Sequence, residues 1–136
     1  MAIFPDSMKA DFTLSPEIIK GKLFSFHNAA HSLHLDTQSF AEHKALDELY
    51  TSLVGYKDEI CEKLMGYAQG KRIGVAKLDP LPVYSPAAAI DLVNQIMKFA
   101  KNLEEWAEEM EYCDIENIAQ GLSGEAAKIR YLLTLS

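Results

Sequence analysis

Residues 31–63 read HSLHLDTQSFAEHKALDELYTSLVGYKDEICEK, and the fold turns on where this stretch breaks. Upstream, Ile19, Leu23, Phe26, Ala30 and Leu33 recur every three or four residues, the stripe of a helix with one buried face. That helix begins at Ser15-Pro16-Glu17, where a capping hydroxyl and a first-turn proline precede an acid at the positive end of the dipole. It is expected to end near Asp36. Downstream, Ser39-Phe-Ala-Glu42 reads as a capping box, in which each end satisfies the other's backbone donor. The second helix then carries Leu46, Leu49, Leu53, Tyr56, Ile60, Leu64 and Tyr67 to about Gly66 or Gly70. So short a break makes the two helices antiparallel neighbours.

Outward from this hairpin, GKRIGVAKLDPLPVY at 70–84 holds two glycines and two prolines and no helical period. It reads as one long connection, with room for a short strand or a helical turn. Ser85-Pro86 repeats the cap-and-proline start of a third helix, with Ala89, Val93, Ile96, Ala100, Leu103, Ala107 and Met110 at heptad-like spacing to about Glu111. Asp114 is expected to cap a fourth, with Ile115, Ile118, Leu122, Ala126, Ile129 and Leu133 inward. Gly121 and Gly124 weaken its middle and invite a kink. The fold class that follows is all-α, a four-helix bundle forming one domain over 1–136, with 1–14 as an N-terminal extension.

With 49% hydrophobic and 24% charged residues, the chain has an ordinary globular composition. No run approaches the roughly 18 apolar residues of a membrane span. The start MAIFPDSMKADF lacks the basic and apolar regions of a signal peptide, so a cytoplasmic location is expected. Cys61 and Cys113 have no zinc or redox spacing and are expected to be free, mostly buried thiols. Twenty acidic against thirteen basic residues give a charge of −7, which repels a phosphate backbone and suits cations. Nucleic acid is therefore not expected as a partner.

The second helix carries chemistry on one stripe. With His43 at zero and about 100° per residue, Asp47 falls near 40°, Asp58 near 60° and Glu62 near 100°. Along the axis, however, the His43/Asp47 pair lies roughly 22 Å from the Asp58/Glu62 pair. A second copy of the helix, antiparallel across a two-fold axis near Ser52-Leu53, brings His43 and Asp47 of one chain to Asp58 and Glu62 of the other. Such a self-complementary interface is what two-fold dimers use. His31, late in the first helix, is expected to join His43. Two imidazoles and three carboxylates suit iron, manganese or zinc.

The spacing from His31 to His43, Asp47, Asp58 and Glu62 resembles the ferroxidase pattern of the Dps branch of the ferritin superfamily, the DNA-binding proteins from starved cells. The match covers residues 27–66; the second half follows in helical layout. HLDTQSFAEHKALDELY is also similar to a group of phage-borne ferritin-like proteins. The resemblance implies a ferritin-like bundle that oxidises Fe(II) with peroxide or oxygen at an inter-subunit di-metal site and stores the ferric product. It assigns His31, His43 and Asp47 from one subunit and Asp58 and Glu62 from its partner. It further implies a homo-oligomer, a two-fold dimer at least, with a dodecameric shell as the larger option.

The chain also departs from that pattern. Ser32 stands where the family commonly has Trp, and the family's Phe is displaced by one, to Phe40. His34 and His27 are additional imidazoles and further metal-ligand candidates. The first fourteen residues carry only Lys9, so the family's lysine-rich DNA-holding tail is missing. No ExxH motif is present, which removes the di-iron centre found inside the bundle of classical ferritins. Two rival readings stay open: a non-catalytic metal-binding bundle, and a metal-free helical assembly or interaction protein.

Overall fold

The computed structural model describes residues 14–135. Four helices make up the regular structure of those residues: α1 (Pro16–Asp36), α2 (Phe40–Tyr67), α3 (Ala88–Met110) and α4 (Cys113–Leu133). The expected four-helix bundle is the observed fold. The first thirteen residues, and with them nearly all of the expected extension, lie outside the described part.

Ser15 opens α1 by accepting from Ile18 N at 3.2 Å, and Pro16 fills the first turn. Thr37, in extended conformation, stops the helix. At the start of α2 only half of the capping box forms. Ser39 Oγ accepts from Glu42 N at 3.2 Å, but Ser39 N donates to Thr37 Oγ1 at 3.1 Å. The Glu42 carboxylate is left buried, with Oε1 unpartnered. α2 ends in a Schellman motif: Gln69 takes the left-handed conformation, Gly70 N donates to Met65 O and Gln69 N to Gly66 O. Glu111 closes α3 in the same way, with Tyr112 N donating to Ala107 O.

Two expected helix starts are corrected. α3 begins at Ala88, beyond a turn at Pro86-Ala87, and no side chain caps it; Ser85 contributes only its carbonyl, to Ala88 N. α4 begins at Cys113 with Tyr112 at the cap position, which puts Asp114 inside the first turn. Gly121 and Gly124 do not break α4, because Ile115, Leu122, Ala126 and Ile129 are fully buried on either side and anchor it to the core. Met110 and Tyr67, both expected inward, are exposed, since each lies at a helix end past the last layer of the core. Cys61 is buried as expected, but Cys113 is exposed at the α4 terminus.

The connection between α2 and α3 decides the topology. It forms neither strand nor helical turn; it lies lengthwise along α1. Lys20 Nζ donates to Gly74 O, Asp79 N donates to Ser25 Oγ at 2.8 Å, Lys22 pairs with Asp79 at 3.0 Å, and the Thr37 and Tyr84 hydroxyls meet at 3.5 Å. Successive contacts thus climb α1 from its start to its end. At Gly21 the approach is so close that a Cβ would stand 2.4 Å from Lys77 O. The chain therefore returns to the end of the bundle where α2 began, and α3 descends parallel to α2. Ring contact between Phe26 and Phe99 at 5.4 Å joins α1 to α3, and Lys128 with Glu48 at 2.7 Å joins α4 to α2. The order is up, down, down, up, with a single long crossover in the middle.

Candidate metal centre

The α1–α2 hairpin gathers all four histidines of the chain, three of them against Tyr50 and His43 against His34. His27, His31 and His34 follow one another down α1 at helical spacing; His43 and Tyr50 face them from α2. The His31 ring stacks on Tyr50 with centroids 4.4 Å apart, His34 meets Tyr50 edge-on at 5.1 Å, and His27 does so at 6.0 Å. His34 and His43 stack at 3.8 Å, nearly parallel at 20°.

A reciprocal pair of hydrogen bonds fixes the last two rings. His34 Nδ1 lies 2.8 Å from His43 O, and His43 Nδ1 lies 2.8 Å from His34 O. A carbonyl oxygen only accepts, so each Nδ1 carries the proton and donates. In the neutral ring each Nε2 is then the lone-pair nitrogen, the state in which histidine ligates metals. Stacking and both bonds lock the ring planes, and His34 is buried. Burial, assisted by the Lys57 charge, holds His27 below its ordinary imidazole value and keeps it neutral near pH 7.

Asp47 lies one helical turn after His43. The neighbouring Asp47 carboxylate holds the Tyr50 phenol above its usual value. A hydroxyl so placed can orient a ligating carboxylate from behind. Tyr50 was not among the residues singled out from the sequence, although a signal was present. Relative to His43 it falls near −20° on the helix, beside the same stripe as Asp47.

Asp58 and Glu62 are exposed near the other end of α2 and are not brought to the histidines within one chain. Among the described residues, no group of three or more His, Cys, Asp or Glu assembles that could hold a metal ion. His31 is linked to His43 through the intervening His34, the His31–His34 rings being 6.1 Å apart. One chain by itself does not assemble the expected ligand set. At the expected axis point, Leu53 is fully buried and Ser52 Oγ is turned to Leu49 O. The surface there belongs to Thr51, Val54 and Gly55, which lie on the outward side of the stripe.

The molecule is thus a four-helix bundle with a crossover after its second helix and an imidazole cluster on its first hairpin. No helix among the described residues is long and apolar enough to cross a membrane. The chain belongs to DUF5856, a family of unknown function, whose profile matches residues 34–133. That span takes in His34, His43, Asp47, Tyr50, Asp58 and Glu62, and leaves His27 and His31 before it. No curated protein and no solved structure matches the chain.

Proposed function

We propose that this protein is a ferritin-like, Dps-related metal-binding protein that takes up Fe(II) as substrate at a site shared between two antiparallel copies. His43, Asp47 and the imidazoles of His31 and His34 would line one side; Asp58 and Glu62 of a second copy would close it. The observation that carries the reading is the reciprocal Nδ1 bonding of His34 and His43, which in the neutral rings leaves two Nε2 lone pairs on the hairpin that also carries Asp47. Imidazole nitrogen with hard carboxylate oxygen is a donor set that fits iron, and equally manganese or zinc. The crossover connectivity supports the ferritin-like reading independently of any side chain.

Two copies can approach along α2 because its outer stripe carries no bulky obstacle at the middle. Val54 is 41% exposed, and a Cβ built on Gly55 meets nothing within 4 Å. An antiparallel partner there spans the roughly 22 Å between the two half-sites, twice over. Electron loss from Fe(II) to oxygen or peroxide is the chemistry of the metal. The part of the protein is to hold the ion, orient its ligands and bring the two halves together. Sedimentation with and without Fe(II), Mn(II) or Zn(II), alongside an Fe(II) oxidation assay, tests the reading. A dimer or larger shell whose iron oxidation is lost in His43→Ala and in Asp58→Asn with Glu62→Gln is the expected result. A strict monomer at micromolar concentration with metal present would sink it.

A further inference from the structure

At the far end of the hairpin from the histidines, α1, α2 and the start of the crossover enclose a groove of about 400 Å³. Phe24 and Cys61 lie at its apolar floor. Three cations reach it from three separate elements: Lys20 from α1, Lys57 from α2 and Arg72 from the connection.

Among the described residues none of these cations is paired with a carboxylate. The Lys57 ammonium lies 4.1 Å from the centre of the Phe24 ring, Lys20 donates to Gly74 O, and Arg72 Nη1 donates to Gly70 O at 2.7 Å. Lys22, Lys63, Lys101 and Lys128, elsewhere on the surface, each have an acidic partner. In a chain of charge −7, three cations left to carbonyls and a ring face are a local inversion of sign. Asp58 and Glu62 line the same groove, so three positive charges face two negative ones.

We propose that this groove binds a small tetrahedral oxyanion of the phosphate class, held by Lys20, Lys57 and Arg72. The ammoniums supply point charges and the guanidinium a fork of donors, the usual division of labour around phosphate oxygens. The two carboxylates set the affinity. While they are bare they oppose the anion; a cation held by them removes the opposition and tightens anion binding. This coupling rests on the metal reading above, whereas anion binding to the metal-free chain does not.

The full-length, metal-free protein is titrated with inorganic phosphate and followed by calorimetry or phosphorus NMR line width. Millimolar-range binding is expected, weakened roughly tenfold by Lys57→Gln with Arg72→Gln. Asp58→Asn with Glu62→Gln should strengthen it roughly fivefold, a gain that misfolding cannot produce. Binding that ignores both pairs of substitutions, or no binding at tens of millimolar phosphate, overturns the groove. Redox-inert Zn(II) should then tighten phosphate in the parent and not in the double amide. If the metal-free effects hold while Zn(II) changes nothing, the groove stands and Asp58 and Glu62 are not metal ligands.

Discussion

Replacing Gly21 by alanine tests the feature on which the crossover connectivity depends. A helix interior ordinarily gains about 1 kcal/mol when glycine becomes alanine. At Gly21 the new Cβ would stand 2.4 Å from the backbone oxygen of Lys77. An ordinary contact needs about 3.4 Å, so the crossover must retreat by about 1 Å. A backbone forced to shift in this way costs about 1–3 kcal/mol. Retreat also stretches the bond from Asp79 N to Ser25 Oγ, now 2.8 Å, a further loss of about 1 kcal/mol. Against the propensity gain, the balance is a net destabilisation of about 1–3 kcal/mol. For a chain of this length that lowers Tm by roughly 4–10 °C. Gly124→Ala is the matched control, since a Cβ there meets nothing within 4 Å, and it should stabilise by about 0.5–1 kcal/mol. Urea unfolding gives the two midpoints, and limited trypsin cleavage at Lys77 reports whether the connection has lifted. If Gly21→Ala is as stable as Gly124→Ala and Lys77 is no more readily cut, the connection does not lie on α1 and the assigned topology is wrong.

The Tyr67 hydroxyl donates to Asp114, which pushes the phenol up to about 12 and draws the carboxyl below its usual range. The raised phenol contributes stability that is complete below its unfolded value of about 10 and is lost as pH climbs toward 12; the lowered carboxyl contributes stability that is lost as pH falls below about 3.9. The difference in urea midpoint between parent and Tyr67→Phe should therefore be level across about pH 5–9 and shrink at both ends; a difference that widens above pH 10 would contradict the assignment. A divalent cation at a hundredfold excess over its Kd should stabilise the parent by about 2.7 kcal/mol and the Asp58→Asn, Glu62→Gln variant not at all, as read by thermal shift with Mn(II) or Zn(II). Tyr50→Phe should weaken metal binding by about tenfold without unfolding the hairpin, because it removes the hydroxyl beside Asp47; unchanged affinity would show that Asp47 needs no such support. A gel shift at about 150 mM salt should show no tight DNA complex, since the charge is −7 and phosphate contacts require clustered basic residues.

The helices themselves were legible in the chain because their causes are local. Ser15-Pro16 starts α1, Ser39 starts α2, and the spacing of Leu46, Leu49 and Leu53 marks a buried face whatever packs against it. The hairpin followed from the short break at 37–39. Local chemistry misled where a neighbour supplied a better partner or better packing. Thr37 took the Ser39 N–H that Glu42 was expected to use, and Ser85 and Asp114 were displaced from their expected cap positions. Helix arithmetic alone put His43, Asp47, Asp58 and Glu62 on one stripe and separated them into two halves.

Only the tertiary structure decided which histidines touch. Two rings nine residues apart on different helices stack because the turn at 37–39 sets α1 and α2 in register, and sequence spacing carries no information about that register. The same holds for the tautomers, which each ring owes to the other's backbone carbonyl. The direction of the crossover was likewise unreadable in a segment with no period. It is settled by a long-range fit, the bare backbone of Gly21 against Lys77, which is invisible until α1 and the connection lie side by side.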